Sequence, residues 1–277
     1  DPADIADYIL AADVSVLALQ EILPTASTDP DHPRNAQLDS AFAAIEKTTG
    51  RKWSYLLFAN GPVRPDDQLC GLAWNPAIVT PIDGKRRTLT EQSGADRVIT
   101  DASIARAWAR PPRIVHFAAG RPEDRNTDFS IVVVHMKSDY GAGPDRGHEA
   151  RRENEARTLA AALPIWSRSL PDGDIIILGD TNMTRDFPAK EPAATIIESA
   201  LAGMADTNTK GEATHWRGSA TDRIYIPASQ PEFAARTFEV WSDRYCDARR
   251  WDAREYKRRL SDHYMVVTTI QVTTDDD

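Results

Sequence analysis

With 277 residues, 41% of them hydrophobic and 27% charged, the chain has enough apolar material for one large domain or two small ones. Its formal charge of -9 argues against bulk electrostatic attraction to nucleic acid, while leaving room for a local basic surface or a bound cation. No apolar run reaches the roughly 18 residues a membrane helix needs, and neither Cys70 nor Cys246 sits in a zinc-type spacing.

In chain order, Asp1 to Ala12 reads as a short helix, with Ile5, Ile9 and Leu10 at helical spacing behind Pro2. Val14 to Leu19 is a nearly continuous apolar run, as expected of a strand covered on both faces. Asn35 to Thr49 is an amphipathic helix stopped by Gly50. Strands are predicted over Trp53–Phe58, Leu69–Trp74 and Ile78–Ile82, followed by a polar excursion from Asp83 to Pro112 with one helical turn near Ile104 to Trp108. Arg113–Ala118 and Asp128–Met136 form a hairpin pair across Gly120 to Thr127. After the Gly141-Ala142-Gly143-Pro144 loop come a charged helix from about His148 to Trp166, a strand over Asp174–Leu178 and a helix over Glu191–Leu201. Asp222–Ile226, Arg236–Trp241 and His263–Val272 supply the last strands, and the acidic tail 273–277 is expected to be solvated. Strands and helices mix without strict alternation. This favours an α/β domain over 1–272 made of two packed mixed sheets flanked by helices.

Four segments end apolar runs with acids, amides or histidines: Leu19-Gln20-Glu21, Val134-His135-Met136-Lys137-Ser138, Leu178-Gly179-Asp180-Thr181-Asn182 and Ser261-Asp262-His263. Each has an ordinary reading when taken alone. Glu21 could be a solvated loop residue, Asp180 and Asn182 an Asx-type turn, and His263 a satisfied structural histidine. His135 differs, because an imidazole interrupting Ile131-Val132-Val133-Val134 is costly to bury without a partner. A site for a divalent cation and a phosphate ester explains all four together: carboxylates hold a hard cation, and an amide and a carboxylate position water. Two imidazoles can donate to phosphoryl oxygens.

The set Leu-Gln-Glu, His-Met-Lys-Ser, Gly-Asp-Thr-Asn and Ser-Asp-His, with Asp222-Arg223-Ile224 before the last, resembles the endonuclease/exonuclease/phosphatase superfamily. The likeness runs from about Ile5 to Val267 and implies a four-layer, deoxyribonuclease-like sandwich. It implies Mg2+ or Mn2+ bound by Glu21 and Asp262. Asp180 would orient or deprotonate the attacking water, and Asn182 would help hold phosphate and nucleophile. His263 would sit at the scissile phosphate, oriented by Asp222, with His135 contacting phosphate. Where pancreatic-type deoxyribonuclease pairs the corresponding histidine with a glutamate, Gln68 is the nearest equivalent here, which weakens His135 as a general acid. The superfamily normally opens with a strand bearing an asparagine ahead of the first helix. That strand is expected to lie upstream of Asp1 or on another polypeptide.

Nucleic acid is the expected substrate. Lys137 and the basic residues Arg146, Arg151, Arg152 and Arg157 follow the His135 strand. Arg249, Arg250, Arg254, Lys257, Arg258 and Arg259, interleaved with Trp251 and Tyr256, precede Asp262. Such a run suits phosphate contact plus base stacking, or else forms a solvated helix face. The alternative substrates are a lipid head group or other small phosphate ester; a scaffold protein that keeps the fold without catalysis is the third reading. His32, His116 and His215 default to structural or surface roles. Oligomeric state and compartment are open.

Overall fold

Two β-sheets lie face to face because each carries an apolar face that the other covers. In the computed structural model the described residues are 1–59, 61–88, 107–120, 127–138, 147–169, 174–183, 191–200, 203–227, 229–230, 233 and 237–271. In chain order the elements begin with α1 (Pro2–Ala12), β1 (Val16–Ile22), α2 (Ala36–Thr49), β2 (Ser54–Phe58), β3 (Leu69–Trp74) and β4 (Val79–Thr88). They continue with β5 (Arg113–Ala119), β6 (Thr127–His135), α3 (Gly147–Ser169), β7 (Ile175–Asp180), α4 (Pro192–Ser199) and β8 (Met204–Asp206). The last are β9 (Asp222–Pro227), β10 (Glu239–Val240), α5 (Ser242–Arg249), α6 (Ala253–Arg259) and β11 (Val266–Val267).

The smaller sheet has three strands in the order β1-β3-β2, and the larger has six in the order β4-β5-β6-β7-β9-β8. Neighbours in the smaller sheet are antiparallel; in the larger, β6 and β7 run parallel, with α3 crossing between them. Phe58, Leu72 and Trp74 from the smaller sheet interdigitate with Phe117, Phe129, Ile131, Ile176 and Ile224 from the larger. Each such side chain contributes roughly 1.5–3 kcal/mol by leaving water. On the outer face of the smaller sheet, Ile9 of α1 and Phe42 and Ile45 of α2 pack against Tyr55, Leu57 and Ala73. On the outer face of the larger sheet, Leu159, Leu163 and Trp166 of α3 and Ile197 of α4 cover Val132, Val134 and Ile177. The result is the helix–sheet–sheet–helix sandwich expected from the sequence. α2 shows why its limits were legible: the Asn35 side chain accepts a hydrogen bond from the Leu38 N–H at 2.8 Å, and Gly50 closes the helix at φ 71°.

Several limits differ from expectation. β4 continues to Thr88, into the stretch predicted as an excursion. Much of that stretch (89–106), with the start of the turn predicted near Ile104, lies outside the described residues, as do the Gly141–Pro144 loop, Arg146 and the acidic tail. The strand predicted over Arg236–Trp241 is reduced to β10, its first residue being outside the described set, and the one over His263–Val272 is reduced to β11. The β-branched run there has the right propensity, but among the described residues only Val266 and Val267 find a ladder partner. β8 and α5 were not anticipated. The basic run before Asp262 takes the form of α6, capped by the Asp252 side chain on the Glu255 N–H. Cys70 and Cys246 are both free thiols. Among the described residues no helix is long and apolar enough to cross a membrane.

Candidate active site

The chemistry-bearing side chains gather at one end of the sandwich. His135 is the last residue of β6 and Asp180 the last of β7, and the two residues are register partners. Asp222 opens the antiparallel neighbour β9 opposite Asp180. Gly179 makes the close approach possible: its φ is 138°, and a Cβ there would lie 2.0 Å from the Val134 carbonyl oxygen. Glu21 comes from the other sheet. It sits where the β1–β3 register shifts between Leu19 and Ile22, with φ 56°, so the bulge rather than simple alternation aims its carboxylate.

His263 Nδ1 lies 2.9 Å from Asp222 Oδ2, and its Nε2 lies 3.9 Å from Asp180 Oδ2. Burial alone would lower the affinity of His263 for its proton. The hydrogen bond and charge of Asp222, with Asp180 and Asp262 nearby, outweigh that and raise its pKa to about 9. Asp222 is itself fixed, because its Oδ2 accepts from the hydroxyl of Thr214 at 2.7 Å and of Thr221 at 3.3 Å. Asp180 is buried, and desolvation together with the Asp222 charge pushes its pKa up.

Asn182 donates its backbone N–H to Asp180 Oδ1 at 2.8 Å. Its amide nitrogen donates to Asp180 Oδ2 at 2.9 Å and to the Met136 carbonyl at 3.1 Å. The amide hydrogens thus hold the Asp180 carboxylate in place and tie the β7 end to the β6 end. His135 Nε2 stands 3.4 Å from Asp180 Oδ2 and 3.8 Å from Glu21 Oε1. Burial first, then the positive neighbours Arg110 and His263, depress its pKa to about 3, so the ring is neutral at physiological pH. Its buried Nδ1 has no hydrogen-bond partner among the described residues. Gln68, the residue expected to replace a glutamate partner, instead accepts from Arg110 Nη1 at 3.2 Å.

Glu21 and Asp262 line one cavity of about 1250 Å3, together with Asp222 and His263. Glu21 is half-exposed and, among the described residues, its carboxylate accepts no hydrogen bond; the guanidinium of Arg110 is 4.0 Å away. Asp262 turns to Lys257 Nζ at 3.2 Å. Burial opposes the charge of Asp262, but Lys257 and His263 override it and hold the carboxyl below its ordinary range. Ligand atoms of Asp180, Asp222 and His263 lie within 4.8 Å of one another. The close Asp222–His263 hydrogen bond makes that trio an oriented imidazole between two acids more than an open ligand set.

The residues expected to meet substrate are placed less favourably. Arg152 is 2% exposed, with its guanidinium on the Glu191 carboxylate at 2.9 and 3.1 Å and on the Lys137 carbonyl at 3.0 Å. It is a buried clamp on the segment after β6, not a surface contact. Lys137, half-buried, gives its backbone N–H to Glu155 at 2.9 Å. Trp251 packs edge-on against Tyr245 under the guanidinium of Arg259. Tyr256 is buried and donates its hydroxyl to Tyr8. Arg250 and Arg254 are exposed, but much of the surrounding run is internally paired: Arg249 with Asp7, Arg258 and Arg259 with Glu255, and Arg259 also with Asp4.

Three residues at the site escaped the sequence reading. Arg110 lies just before Pro111-Pro112 and β5, in the stretch read as an excursion. His215, expected to be structural or peripheral, forms a β-bridge with His263, and their rings meet edge to face at 4.8 Å between centroids. Trp216 donates its N–H to the Asp262 carbonyl at 3.0 Å. Its half-buried ring has Lys257 Nζ 4.6 Å and the Arg217 guanidinium 5.2 Å from its centroid. The Thr214-His215-Trp216 triplet before Asp222 was the available signal. His116, by contrast, is structural as expected, held by Ser130 at 2.9 Å and Asp128 at 3.1 Å.

The fold is shared with known proteins. The chain is similar to truncated Caenorhabditis elegans TDP2, with 14% identity and a TM-score of 0.57 over 98% of this chain and 90% of that one. It is similar to an endonuclease/exonuclease/phosphatase family protein of Bacteroides thetaiotaomicron, with 13% identity and a TM-score of 0.56 over 98% of this chain and 88% of that one. For the human Nocturnin catalytic domain with bound sulfate the values are 16% and 0.51, over 82% of this chain and 73% of that one. At such identities the likeness establishes the fold. No curated protein matches in sequence. A model of the Endonuclease/Exonuclease/phosphatase family matches residues 1–263, nearly the whole chain, and the chain belongs to that family of hydrolytic phosphoesterases.

Proposed function

We propose that the protein is a divalent-metal-dependent nuclease that hydrolyses phosphodiester bonds of DNA or RNA by in-line attack of water. The observation that carries the reading is the Asp222–His263 pair facing Asp180: an imidazole held charged by one acid, 3.9 Å from a second acid whose proton affinity is raised. Asp180, aimed by two hydrogen bonds from Asn182, takes or orients the proton of the attacking water. His263 donates to the oxygens of the pentavalent phosphorus, where negative charge accumulates. His135, neutral and buried, offers a neutral contact beside Asp180 and Glu21 rather than a proton.

The residues present fit a hard cation. Glu21 is a carboxylate with no hydrogen bond among the described residues, beside Asp180, whose proton affinity is raised first by burial and then by the neighbouring acids. Glu21 and Asp262 would hold Mg2+ or Mn2+, and a bound ion would neutralise charge developing on the phosphoryl oxygens.

Nucleic acid is favoured over a small ester by Trp216, an aromatic face flanked by Lys257 and Arg217 beside Asp262 and His263. Stacking on such a face contributes roughly 1–3 kcal/mol per base. Plasmid and single-stranded DNA and RNA, assayed with and without EDTA beside small phosphomonoesters, test the proposal. Metal-dependent strand cleavage, weakened in Trp216→Ala, is expected. Release of phosphate from small esters with intact polymer would transfer the assignment to the head-group or sugar-phosphate class.

A further inference from the structure

A positively charged side chain already occupies one of the two carboxylates assigned to the cation. Asp262 lines the cavity with Glu21, yet its Oδ2 is taken by Lys257 Nζ at 3.2 Å. The two side chains are 42% and 40% exposed, so this contact can open without disturbing the core. The direction of Lys257 is specific. Of the three basic residues in the last turn of α6, Arg258 and Arg259 turn back to Glu255, whereas Lys257 turns to the segment that carries Asp262 and His263. The helix is anchored to that same segment, because the buried Tyr256 hydroxyl lies 3.2 Å from the His263 carbonyl. Lys257 also has a second station within reach. Its Nζ is 4.6 Å from the centroid of the Trp216 ring, and Trp216 is tied to the Asp262 carbonyl through its own N–H.

We propose that Lys257 is a placeholder for the divalent cation: its ammonium neutralises Asp262 while the site is unloaded, yields that carboxylate when the cation binds, and passes over the Trp216 face to a phosphate of the bound strand. The inference rests on the assignment of Glu21 and Asp262 to the cation and on the nucleic-acid reading above. A lysine suits this part because its charge is a compact point on a flexible stem, able to exchange one anionic partner for another. A divalent ion brings twice that charge to the same oxygen and displaces it. The exchange keeps the site balanced. One positive charge leaves Asp262 as two arrive, and the freed ammonium meets the negative charge that the substrate carries in. The ring of Trp216 holds the ammonium close during the transfer, through the attraction between a cation and an aromatic face.

Mn2+ binding, read from the loss of the free-ion electron paramagnetic resonance signal at fixed ionic strength, tests the first half without any turnover. Lys257→Met keeps the apolar stem beside Trp216 and removes the charge; it should bind Mn2+ about two- to five-fold more tightly than the unaltered protein, the scale of a partly exposed ion pair. Arg258→Met removes the same charge one residue away and should leave the affinity unchanged. Equal affinity in Lys257→Met, with Mn2+ bound by the unaltered protein and lost in Glu21→Gln, overturns the placeholder and leaves the cation assignment standing. Equal tightening in Arg258→Met overturns it too, because bulk charge then explains the effect. No Mn2+ binding, or binding indifferent to Glu21→Gln, overturns the cation assignment and the placeholder together. The second half is read from the salt dependence of single-stranded oligonucleotide binding with Mn2+ present, in an Asp180→Asn background that prevents cleavage. Lys257→Met should lower the slope by about 0.7, one phosphate contact. An unchanged slope overturns the transfer to phosphate, and absence of any oligonucleotide binding overturns the nuclease reading with it.

Discussion

His135 and Asp180 stand opposite each other on the last rung of the parallel β6–β7 pair, Nε2 3.4 Å from Oδ2. That closeness depends on Gly179, whose missing Cβ leaves room for the Val134 carbonyl. Gly179→Ala must strain a backbone at φ 138° and part the two strands just below the site. A loss on the order of 3 kcal/mol is expected, read as a lower urea midpoint. A midpoint equal to that of the unaltered protein would show that the rung tolerates separation.

Removing the charged donor should spare the fold and stop the reaction. His263 is only partly buried and contributes no core packing, so His263→Ala is expected to keep its circular dichroism spectrum. Turnover on DNA should fall about 100- to 1,000-fold, the usual cost of losing one donor to transition-state charge. Near-normal turnover of the purified variant would remove His263 from the reaction.

The same pair leaves a signature in stability. The pKa of His263 is raised from 6.5 to about 9 in the folded chain. Its stabilising contribution is therefore complete below pH 6.5 and is lost as pH rises through 9. Metal-free protein should lose on the order of 1–2 kcal/mol over this window, allowing for solvent screening. Asp222→Asn, which removes the main cause of the shift, should flatten that part of the curve in denaturation series from pH 6 to 10. Parallel curves for the two proteins would contradict the assignment.

Glu155 gives the opposite kind of test. Buried under the segment after His135, it has its pKa raised from 4.5 to about 7 by desolvation, against the pull of the Lys137 N–H and of Arg110 and Arg152. The folded chain binds this proton more tightly than the unfolded chain, so stability declines as pH rises from 4.5 through 7 and then levels. Glu155→Gln keeps an acceptor for the Lys137 N–H and removes the titration. Its stability relative to the unaltered protein should climb between pH 4.5 and 7.5 in chemical denaturation; a constant difference over that range would mean Glu155 titrates normally.

Much of this architecture could be read from residue order. The apolar runs ending in Glu21, His135 and Asp180 marked strands whose ends meet, and the caps at Asn35 and Gly50 marked a helix, because both are local signals. Arg152 was legible as a cation and misread as a surface one: burial against Glu191 is a long-range fact, set by where α3 and α4 meet. Trp216 and His215 were passed over for the mirror-image reason. They lie in an irregular segment without periodicity, and only the bridge to His263 brings them to the site. The basic run before Asp262 looked like a binding stripe, yet Glu255, Asp4 and Asp7 neutralise much of it through partners unrelated to its spacing.

Glu21 rides on one sheet, whereas His135, Asp180 and Asp222 ride on the other. Reactants held across such a seam are aligned only as well as the two slabs are stacked. Trp74 and Phe117, in contact within that stack with ring centroids 5.8 Å apart, therefore act as spacers for the chemistry while never meeting the reactants. Turnover becomes a gauge of interlayer slip: trimming a spacer should detune catalysis at temperatures where the fold, by every spectroscopic measure, is still whole.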